Sequence, residues 1–314
     1  MAASETNSTA LITGGAGFIG SHLADALLRE GRRVRILDDL STGSLENIPS
    51  GAEFVEGDVR SRETARDACA GVDCVFHLAA KVSIRQSIET FKVDADTNLM
   101  GTLSMLEAAG EAGVRRFVHA SSMAVYADAA DGALIGEDHP VEPLSPYGIS
   151  KHAGERYVLM MGPKLGLEPV VLRLFNTYGT RQGYTPYVGV ITIFVTNMLE
   201  GRPCTVFGDG NQRRDFVHVA DVAEAFRLAG ECDGAAGRVF NVGTGRGTTV
   251  NELAALIQSL LGGGTFTREP AYAVELRNSV ADISRARDTL GYRPQGTLEE
   301  CLPRVLDYLK SRRA

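Results

Sequence analysis

Short runs of apolar residues alternate with longer amphipathic stretches through about the first 175 residues of the chain. The runs are rich in Val, Ile, Leu and Phe and lack strict polar alternation, which is typical of parallel strands covered on both faces. Together these runs predict strands at residues 9–14, 32–39, 52–58, 73–80, 115–122 and 169–176. Helical patterns lie between them, among them 21–31, 94–113 and 145–161. This alternation predicts a doubly wound parallel α/β sheet.

The pattern becomes looser after about residue 176, where loop-like segments mix with predicted helices at 219–231, 249–262 and 298–313. We therefore predict a main domain over residues 1–175, with residues 1–8 as a disordered tail. Residues 176–314 are predicted to form mainly a smaller α/β lobe that binds the substrate, with part of the chain crossing back to the sheet.

Composition and charge narrow the classes of function. Lys and Arg number 32 against 39 for Asp and Glu, a net charge of -7, which argues against a general nucleic-acid-binding protein. We find no apolar run of membrane-spanning length, and the first ten residues do not resemble a secretory signal. The five cysteines form no CxxC pair and no metal-ligand spacing. We therefore predict reduced thiols, no metal and a cytoplasmic protein.

A glycine-rich turn follows the first predicted strand and precedes a helix. Residues 13–20 read TGGAGFIG, with Gly14, Gly17 and Gly20 in a GxxGxxG spacing. Glycine permits a tight turn and lets backbone N–H groups approach a pyrophosphate at a helix N-terminus. Asp38 and Asp39 end the next strand, where a carboxylate can accept from both ribose hydroxyls and would repel a 2′-phosphate. These features predict a dinucleotide site that prefers NAD to NADP.

Two further strand ends offer candidates at the same edge of the sheet. Asp58 follows the third strand, where it either contacts the adenine amino group or caps a helix. The segment HLAAK, residues 77–81, closes the fourth strand at the carboxyl edge, where open sheets bind ligands. His77 lies inside an apolar run, so we interpret it as a hydrogen-bonded core histidine.

The segment SPYGISK, residues 145–151, contains the main candidate for proton transfer. Tyr147 and Lys151 are an i, i+4 pair, so both side chains lie on one face of the predicted helix. A nearby ammonium favours the phenolate and lowers the pKa of a tyrosine, which makes the residue usable as an acid and base. Ser121 and Ser122 end the fifth strand at the same sheet edge and are candidates to hold a substrate hydroxyl.

With these motifs in order, the chain resembles the extended short-chain dehydrogenase/reductases, and within them the NAD-dependent sugar-nucleotide 4-epimerases. The resemblance runs from about residue 9 to the C-terminus. It rests on TGGAGFIGSHL, LDDLSTG, GDVR, HLAAKVS, NLMGT, SSMAVY, YGISK, RLFNTYG, FGDGNQRRDFVHVADVA, FNVGTG and SVADISRA. It implies a Rossmann fold for residues 1–175 and NAD as the cofactor.

The resemblance also implies roles for individual residues. Ser122, Tyr147 and Lys151 would be the catalytic group, and Asn98 would orient the cofactor. The expected cofactor-binding residues are Gly14, Gly17, Phe18, Ile19, Gly20, Asp38, Asp39, Leu40, Ser41, Thr42, Gly43, Asp58, Val59, Leu78, Ala79, Ala80, Lys81, Asn98, Ser121, Tyr147, Lys151 and Phe175. The expected substrate-binding residues are Ser122, Asn176, Val190, Thr205, Phe207, Arg214, Arg277 and Ser279.

The implied reaction is reversible C4 epimerisation of a UDP-hexose through a 4-keto sugar, with NAD staying bound. The segment after Ser122 has no acid, which disfavours the dehydratases and decarboxylases of the family. Alternatives are a UDP-glucuronate 4-epimerase, in which Arg85 or Arg181 would meet the carboxylate, a reductase of the family, and a non-enzymatic NAD-binding sensor. The sensor class usually loses part of the Ser–Tyr–Lys group, which this chain keeps.

Three finer expectations follow from the resemblance. Ser279 stands at a gate beside the sugar's C2 substituent, and its small side chain suggests room for UDP-N-acetylglucosamine as well as UDP-glucose. An arginine common in the family is replaced by Tyr272, so Arg277 or Arg268 would take over its grip on the diphosphate. The resemblance further implies a homodimer packed through the helices at 94–112 and 146–162.

Overall fold

The computed structural model describes residues 8–185, 189–271 and 276–312. The predicted tail therefore lies outside the described residues, apart from its last residue. The strands of the described residues are β1 (Thr9–Thr13), β2 (Arg33–Asp38), β3 (Glu53–Glu56), β4 (Cys74–His77), β5 (Arg116–Ser122), β6 (Glu168–Leu174), β7 (Asn176–Tyr178), β8 (Cys204–Phe207), β9 (Arg213–His218), β10 (Arg238–Val242), β11 (Gly247–Thr249), β12 (Phe266–Glu269) and β13 (Asn278–Ser279).

Helices connect and cover these strands. They are α1 (Phe18–Arg29), α2 (Arg62–Cys69), α3 (Ile84–Glu89), α4 (Phe91–Ala95), α5 (Gly101–Glu111), α6 (Pro146–Met161), α7 (Val190–Leu199), α8 (Val219–Glu231), α9 (Val250–Leu261), α10 (Ser284–Leu290) and α11 (Leu298–Ser311). A π-helical segment, Asp96–Met100, joins α4 to α5, so the predicted helix at 94–113 is interrupted. Among the described residues, no helix combines the length and the apolar character needed to cross a membrane.

The main sheet has the order β10-β6-β5-β4-β1-β2-β3 within the described residues, and its pairings are parallel. The predicted doubly wound parallel sheet is confirmed. From β1 the chain builds outward through β2 and β3 on one side and through β4, β5 and β6 on the other. Ligands of such sheets bind outside the carboxyl ends of the strands where this direction reverses. The site is therefore expected at the carboxyl ends of β1 and β4.

Apolar clusters cover both faces of this sheet, which explains why its strands show no polar alternation. Ile12 packs with residues of α1 and α8, including Leu23 and Phe226. Its neighbour Leu11 enters the opposite cluster with α2, α5 and α6, where Met105 lies. Successive residues of one strand thus enter opposite cores.

A third cluster stabilises the C-terminal part of the chain. Residues of α7, α9 and α11 pack there, including Phe194, Leu253 and Leu302. A small sheet in this lobe has β9 next to β7, β11 and β13, and β8 pairs with β12. The chain crosses back to the main sheet, because β10 pairs with β6 and α8 packs against α1. The division at residue 175 stays a prediction.

Candidate active site

The glycine-rich turn lies at the carboxyl end of β1 and leads directly into α1. Its backbone is closed by hydrogen bonds from Gly14 N to Leu37 O at 2.8 Å and from Gly17 N to Gly14 O at 3.2 Å. A Cβ on Gly20 would lie 2.3 Å from Gly14 O, so only glycine permits this close packing. Gly17 is the N-cap of α1 and offers no side-chain cap. The first amide groups of the helix are therefore suited to an anion such as a pyrophosphate.

The carboxylate of Asp38 organises the loop beside this turn. Its Oδ2 accepts from Ala16 N at 3.0 Å and its Oδ1 accepts from Leu40 N at 2.9 Å. Burial raises the pKa of Asp38, and the two backbone hydrogen bonds oppose this shift. A carboxylate can accept more than one hydrogen bond at each oxygen. Asp38 can thus hold the loop and still accept a further hydrogen bond, and its contact with a ribose stays a prediction.

The other predicted cofactor residues surround the same edge of the sheet. Phe18 and Ile19 begin α1, and Ser121 lies in the last two residues of β5. The remaining ones follow β2, β3, β4 and β6 in turn, at Asp39, Leu40, Ser41, Thr42, Gly43, Asp58, Val59, Leu78, Ala79, Ala80, Lys81 and Phe175. Their contacts with a cofactor stay predictions.

Asp58 lies next to an arginine rather than at a helix end. The guanidinium Nε of Arg60 donates to its Oδ1 and Oδ2 at 3.0 and 2.9 Å, and Ser61 caps α2. The alternative that Asp58 caps a helix is therefore wrong. Hydrogen bonding by Arg60 lowers the pKa of Asp58, so this carboxylate stays ionised.

Asn98 lies in the π-helical segment and fixes the chain after β4. Its Oδ1 accepts from Lys81 N at 2.7 Å, and its Nδ2 donates to Lys81 O at 2.9 Å. The Nζ of Lys81 donates to Ser41 Oγ at 3.0 Å, which links this segment to the loop after β2. Single π turns often occur at functional sites. Here the π-helical segment holds the buried Asn98 against the backbone of Lys81.

His77 is a core residue, as predicted. Its Nδ1 lies 2.8 Å from Thr13 Oγ1 and its Nε2 lies 3.0 Å from Thr102 Oγ1. Burial lowers the pKa of His77 to about 3, with a smaller contribution from the charge of Lys151. The ring therefore stays neutral and connects β1 to α5.

The helix α6 brings the predicted catalytic pair to the end of β5. Ser145 caps it by accepting from Gly148 N at 3.1 Å, and Pro146 occupies its first turn. A Cβ on Gly148 would lie 2.3 Å from Ala124 O, so glycine lets the helix approach the segment after Ser122. Tyr147 and Lys151 are both buried, 8% and 3% exposed. Ser122, Tyr147 and Lys151 thus lie together at the predicted edge of the sheet.

Burial dominates the electrostatics of this group. It raises the pKa of Tyr147 to about 12, while hydrogen bonding by Ser122 lowers it and the charge of Asp94 raises it further. Burial lowers the pKa of Lys151 to about 8, against the carboxylates of Glu155 and Asp94. The expectation that the ammonium lowers the pKa of Tyr147 is therefore wrong for the protein alone. Loss of water around the phenol, and not the charge one helical turn away, decides the direction of this shift.

Three predicted substrate residues share one face of the small sheet. They are Ser279, Arg214 and Asn176. Ser279 pairs with Arg214 of β9, and Asn176 pairs with Phe216, two residues further along the same strand. Because residues two apart on a strand point to the same face, all three lie on one side of the sheet. The Oδ1 of Asn176 is buried and has no hydrogen-bond partner among the described residues. Such an acceptor is suited to a polar ligand. The hydroxyl of Ser279 lies 3.2 Å from the sulfur of Met123, the residue after Ser122, so this face adjoins the catalytic group.

The other predicted substrate residues line the neighbouring part of the lobe. Thr205 and Phe207 lie on one face of β8, and the guanidinium carbon of Arg85 lies 4.9 Å from the ring centre of Phe207. Val190 begins α7 and packs against the core of the lobe. Arg277 donates from both terminal nitrogens to Asp209, at 2.8 and 2.9 Å.

Comparison with known proteins places this geometry in a family. The family model described as "NAD dependent epimerase/dehydratase family" matches residues 10–243. The chain belongs to this family. It is similar to a putative UDP-glucose 4-epimerase of Methanocaldococcus jannaschii, at 39% identity over 96% of this chain and 98% of the relative. A UDP-glucose 4-epimerase of Mycolicibacterium smegmatis is also 39% identical, over 96% and 98%. The UDP-glucose 4-epimerase of Thermotoga maritima, solved with UDP-glucose, superposes with a TM-score of 0.92 at 37% identity, over 98% of this chain and 100% of that one.

Membership of the epimerase/dehydratase family confirms the resemblance seen in the sequence, including the dependence on NAD. Two of the arginines singled out from the resemblance, one for a glucuronate carboxylate and one for the diphosphate, have other partners. Arg181 forms an ion pair with Asp25 of α1 at 2.7 Å, and Arg268 donates to Gly208 O and Asn251 Oδ1 at 3.4 and 3.3 Å. Tyr272, at the position where the family commonly has a diphosphate arginine, lies outside the described residues. Whether Arg277 or Arg268 replaces that arginine stays a prediction.

Sequence reasoning missed several side chains that support the site. Met123 contacts the gate residue, and Asp94 and Glu155 are buried carboxylates, 2% and 1% exposed, near Lys151. For Asp94 the sequence pattern misleads, because the apolar Phe91 and Val93 of the same helix are exposed while the carboxylate is buried. Contacts across the fold, such as that of Met123 with Ser279, leave no local pattern.

Proposed function

We propose that the protein interconverts UDP-glucose and UDP-galactose at C4, and accepts the corresponding N-acetyl sugars. The main support is the meeting of Ser122, Tyr147 and Lys151 at the carboxyl edge of the sheet, beside a glycine turn that opens a helix. Named relatives of similar length share this activity. No acidic residue follows Ser122 before Tyr126, so this chain lacks the additional acid that a dehydratase would need.

The residues of the chain divide the proton chemistry among them. The chemistry that NAD supplies when bound is the reversible uptake of a hydride from the sugar carbon. Tyr147 as phenolate removes the proton of the C4 hydroxyl, and as phenol it returns the proton. The hydroxyl of Ser122 holds the reacting oxygen and lowers the pKa of Tyr147. The ammonium of Lys151 balances the charge of the phenolate.

The residues present fit a dinucleotide. The uncapped start of α1 and the glycine that packs against Gly14 O suit the pyrophosphate. The carboxylate of Asp38 at the end of β2 suits the adenosine ribose and would repel a 2′-phosphate, which favours NAD. Asn98 holds the backbone of Lys81 on the other side of the same edge.

The proposal that N-acetyl sugars are accepted rests on the residues next to Ser122. Ser279 and Met123 touch each other, and both are unbranched at the β-carbon and free of charge. A small hydroxyl at position 279 leaves more room beside the sugar than a tyrosine would. Asn176, with its unpaired buried oxygen, and Arg214 are suited to the polar part of a nucleotide sugar.

A glucuronate 4-epimerase is the weaker candidate. It would require a cation for the sugar carboxylate, and Arg181 is already paired with Asp25 while Arg85 packs over Phe207. A sensor without activity is also disfavoured, because the complete Ser–Tyr–Lys group is retained.

The function is tested by product analysis without added cofactor. UDP-glucose, UDP-N-acetylglucosamine and UDP-glucuronate are supplied separately, and the products are identified by NMR. We expect the first two to reach a mixture of C4 epimers and the third to remain unchanged. If all three return unchanged while a reduced or dehydrated sugar appears, the proposed reaction is wrong.

We also propose a homodimer, formed through the face that contains α4, the π-helical segment and α6. Phe91, Val93, Met100, Ile149 and Met160 are about half exposed there, between 49% and 57%. Soluble monomers rarely expose large apolar patches. The patch suits a second copy of the chain, whose identical face would cover it.

The free state of all five cysteines supports a cytoplasmic location.

Replacing Ile149 and Met160 together by Glu is expected to give a monomer, because two carboxylates would be buried in the interface. Light scattering after size exclusion measures the mass of the wild-type and variant proteins. Replacing the exposed Leu260 of α9 by Glu is the matched control and should leave the dimer intact. A wild-type protein that runs as a monomer would refute this assembly.

A further inference from the structure

A buried carboxylate on α4 lies next to the catalytic helix. Asp94 is 2% exposed, although Phe91 and Val93 of the same short helix are about half exposed. Its Oδ1 accepts from Ser150 Oγ at 2.7 Å, and its Oδ2 accepts from Asn98 Nδ2 at 3.0 Å. Burying a carboxylate costs free energy unless hydrogen bonds and opposite charge compensate it. Its position therefore requires an explanation beyond filling the core.

The hydrogen bonds of Asp94 connect the two parts of the predicted site. Asn98 also donates to Ser150 Oγ at 3.2 Å, so the three side chains form a closed cluster. Asn98 positions the backbone of Lys81, on the cofactor side. Ser150 immediately precedes Lys151 on α6, and its single hydroxyl proton is shared between Asp94 Oδ1 and Tyr147 O, at 2.7 and 3.0 Å. The cluster thus fixes the catalytic helix relative to the segment that follows β4.

The charge of Asp94 acts on both groups of the catalytic pair. Burial lowers the pKa of Lys151, while Glu155 and Asp94 both raise it. Burial raises the pKa of Tyr147, and Asp94 raises it further. Among the residues that the structure describes, the other groups near the pair are Ser122 beside Tyr147, and His77 and His119 near Lys151. Both histidines are neutral, because burial lowers their pKa.

We propose that Asp94 is a positioning residue of the active site, which fixes α6 against Asn98 and holds the proton on the Lys151 ammonium. Burial raises the pKa of Asp94, and the hydrogen bond from Ser150 and the charge of Lys151 oppose this shift. Its carboxylate adds to that of Glu155 the negative charge that favours the ionised form of this buried lysine. It acts through Ser150, Asn98 and Lys151 and does not itself exchange a proton with the sugar. The effect on turnover rests on the proposed function, whereas the effect on Lys151 does not.

The test replaces Asp94→Asn, a change of charge at nearly constant shape. The new Oδ1 can accept from Asn98, and the new Nδ2 can donate to Ser150 Oγ, which keeps its own hydrogen bond to Tyr147 O. The titration of Lys151 is followed by its acylation with acetic anhydride as a function of pH, with mass spectrometry of the peptide. We expect the midpoint to fall by at least about 0.5 pH unit, since a negative neighbour favours the ammonium.

Two control variants separate charge from packing. Asp96→Asn removes the same charge two residues away, where the side chain is 53% exposed and paired with Arg60, and should leave the midpoint unchanged. Ser150→Ala keeps the carboxylate and removes one of its two hydrogen bonds, and should change the midpoint less than Asp94→Asn. An unchanged midpoint in Asp94→Asn, or an equal shift in Asp96→Asn, would overturn the proposal. If Asp94→Asn does not fold, Asp94→Ser serves with the same expectations.

The pH profile of kcat/KM gives a second readout. Without the charge of Asp94, the pKa values of Lys151 and Tyr147 both fall, so both limbs of the profile should move to lower pH. If Asp94 had only a structural role, its replacement would lower kcat/KM without shifting the pH profile. Inactive wild-type protein would refute the proposed function alone, since the Lys151 titration would still decide the role of Asp94.

Discussion

Replacing Tyr147 by Phe is expected to lower kcat for the interconversion of UDP-glucose and UDP-galactose by about 10²–10⁴-fold, the range typical of a lost acid–base group. The change removes one oxygen from a ring that is 8% exposed and otherwise keeps its packing. The hydrogen bond from Tyr147 N to Ser87 Oγ, at 3.1 Å, involves only the backbone and remains. KM should therefore change much less than kcat, because the phenol acts on the reacting hydroxyl rather than on the nucleotide.

The matched control for this experiment lies on the same helix. Tyr157 is 41% exposed and lies away from the site, so Tyr157→Phe should leave kcat and KM unchanged. Steady-state kinetics of the three proteins, together with circular dichroism to verify folding, provides the measurement. A Tyr147→Phe protein that turns over at nearly the wild-type rate would mean that another group transfers the proton.

Replacing Glu155 by Gln is expected to cost about 3–5 kcal/mol of unfolding free energy, the usual cost of removing one partner of a buried ion pair. Glu155 binds Arg173 through two hydrogen bonds of 2.8 Å, and the two side chains are 1% and 6% exposed. Arg173 also stacks over the ring of Tyr126, at 4.7 Å from its centre. The variant leaves the guanidinium buried without its carboxylate. Such a loss is large against a typical total of about 5–15 kcal/mol.

The pH dependence of this effect follows from the pKa of Glu155. Burial raises that pKa, but the hydrogen bonds from Arg173 and His152, together with the charge of Arg173, outweigh burial, so the folded-state pKa lies below the ordinary value of 4.5. The contribution of the pair is thus fully present above pH 4.5 and is lost as the pH falls through the folded-state value. Urea unfolding at neutral pH and at pH values below 4.5 should show the difference between wild type and variant shrinking as the pH falls.

An exposed ion pair provides the comparison. Arg287 and Asp288 form a pair with side chains 46% and 66% exposed, where water screens the charges. Asp288→Asn should therefore have little effect on unfolding. Equal losses in both variants would contradict the assignment of stability to the buried pair.

The main sheet could be predicted because its strands carry their own signal. Every residue of β5 is buried, so the whole segment is apolar or small except for the arginine at its start and His119. The carboxyl ends of these strands then brought the glycine turn, Asp38 and Ser122 to one edge by topology alone. The helix α6 was predictable from Ser145 and Pro146, which mark its start.

The C-terminal lobe and the electrostatics of the site were harder to predict from the sequence. The contact of Ser279 with Met123 joins residues 156 positions apart, and that of Ser150 with Asp94 joins residues 56 positions apart. No local pattern encodes such pairs. The pKa of Tyr147 was predicted in the wrong direction because the sequence shows the neighbouring charge but not the degree of burial.

The central claim is that the sugar is oxidised and reduced at C4 without net change of the cofactor. It is tested most directly with UDP-glucose that carries deuterium at C4, incubated with the protein and no added NAD. We expect UDP-galactose that retains the deuterium at C4, because the same hydride leaves and returns while Tyr147 handles only the hydroxyl proton. Loss of the deuterium to water, or its appearance at C6 of a dehydrated sugar, would contradict the account.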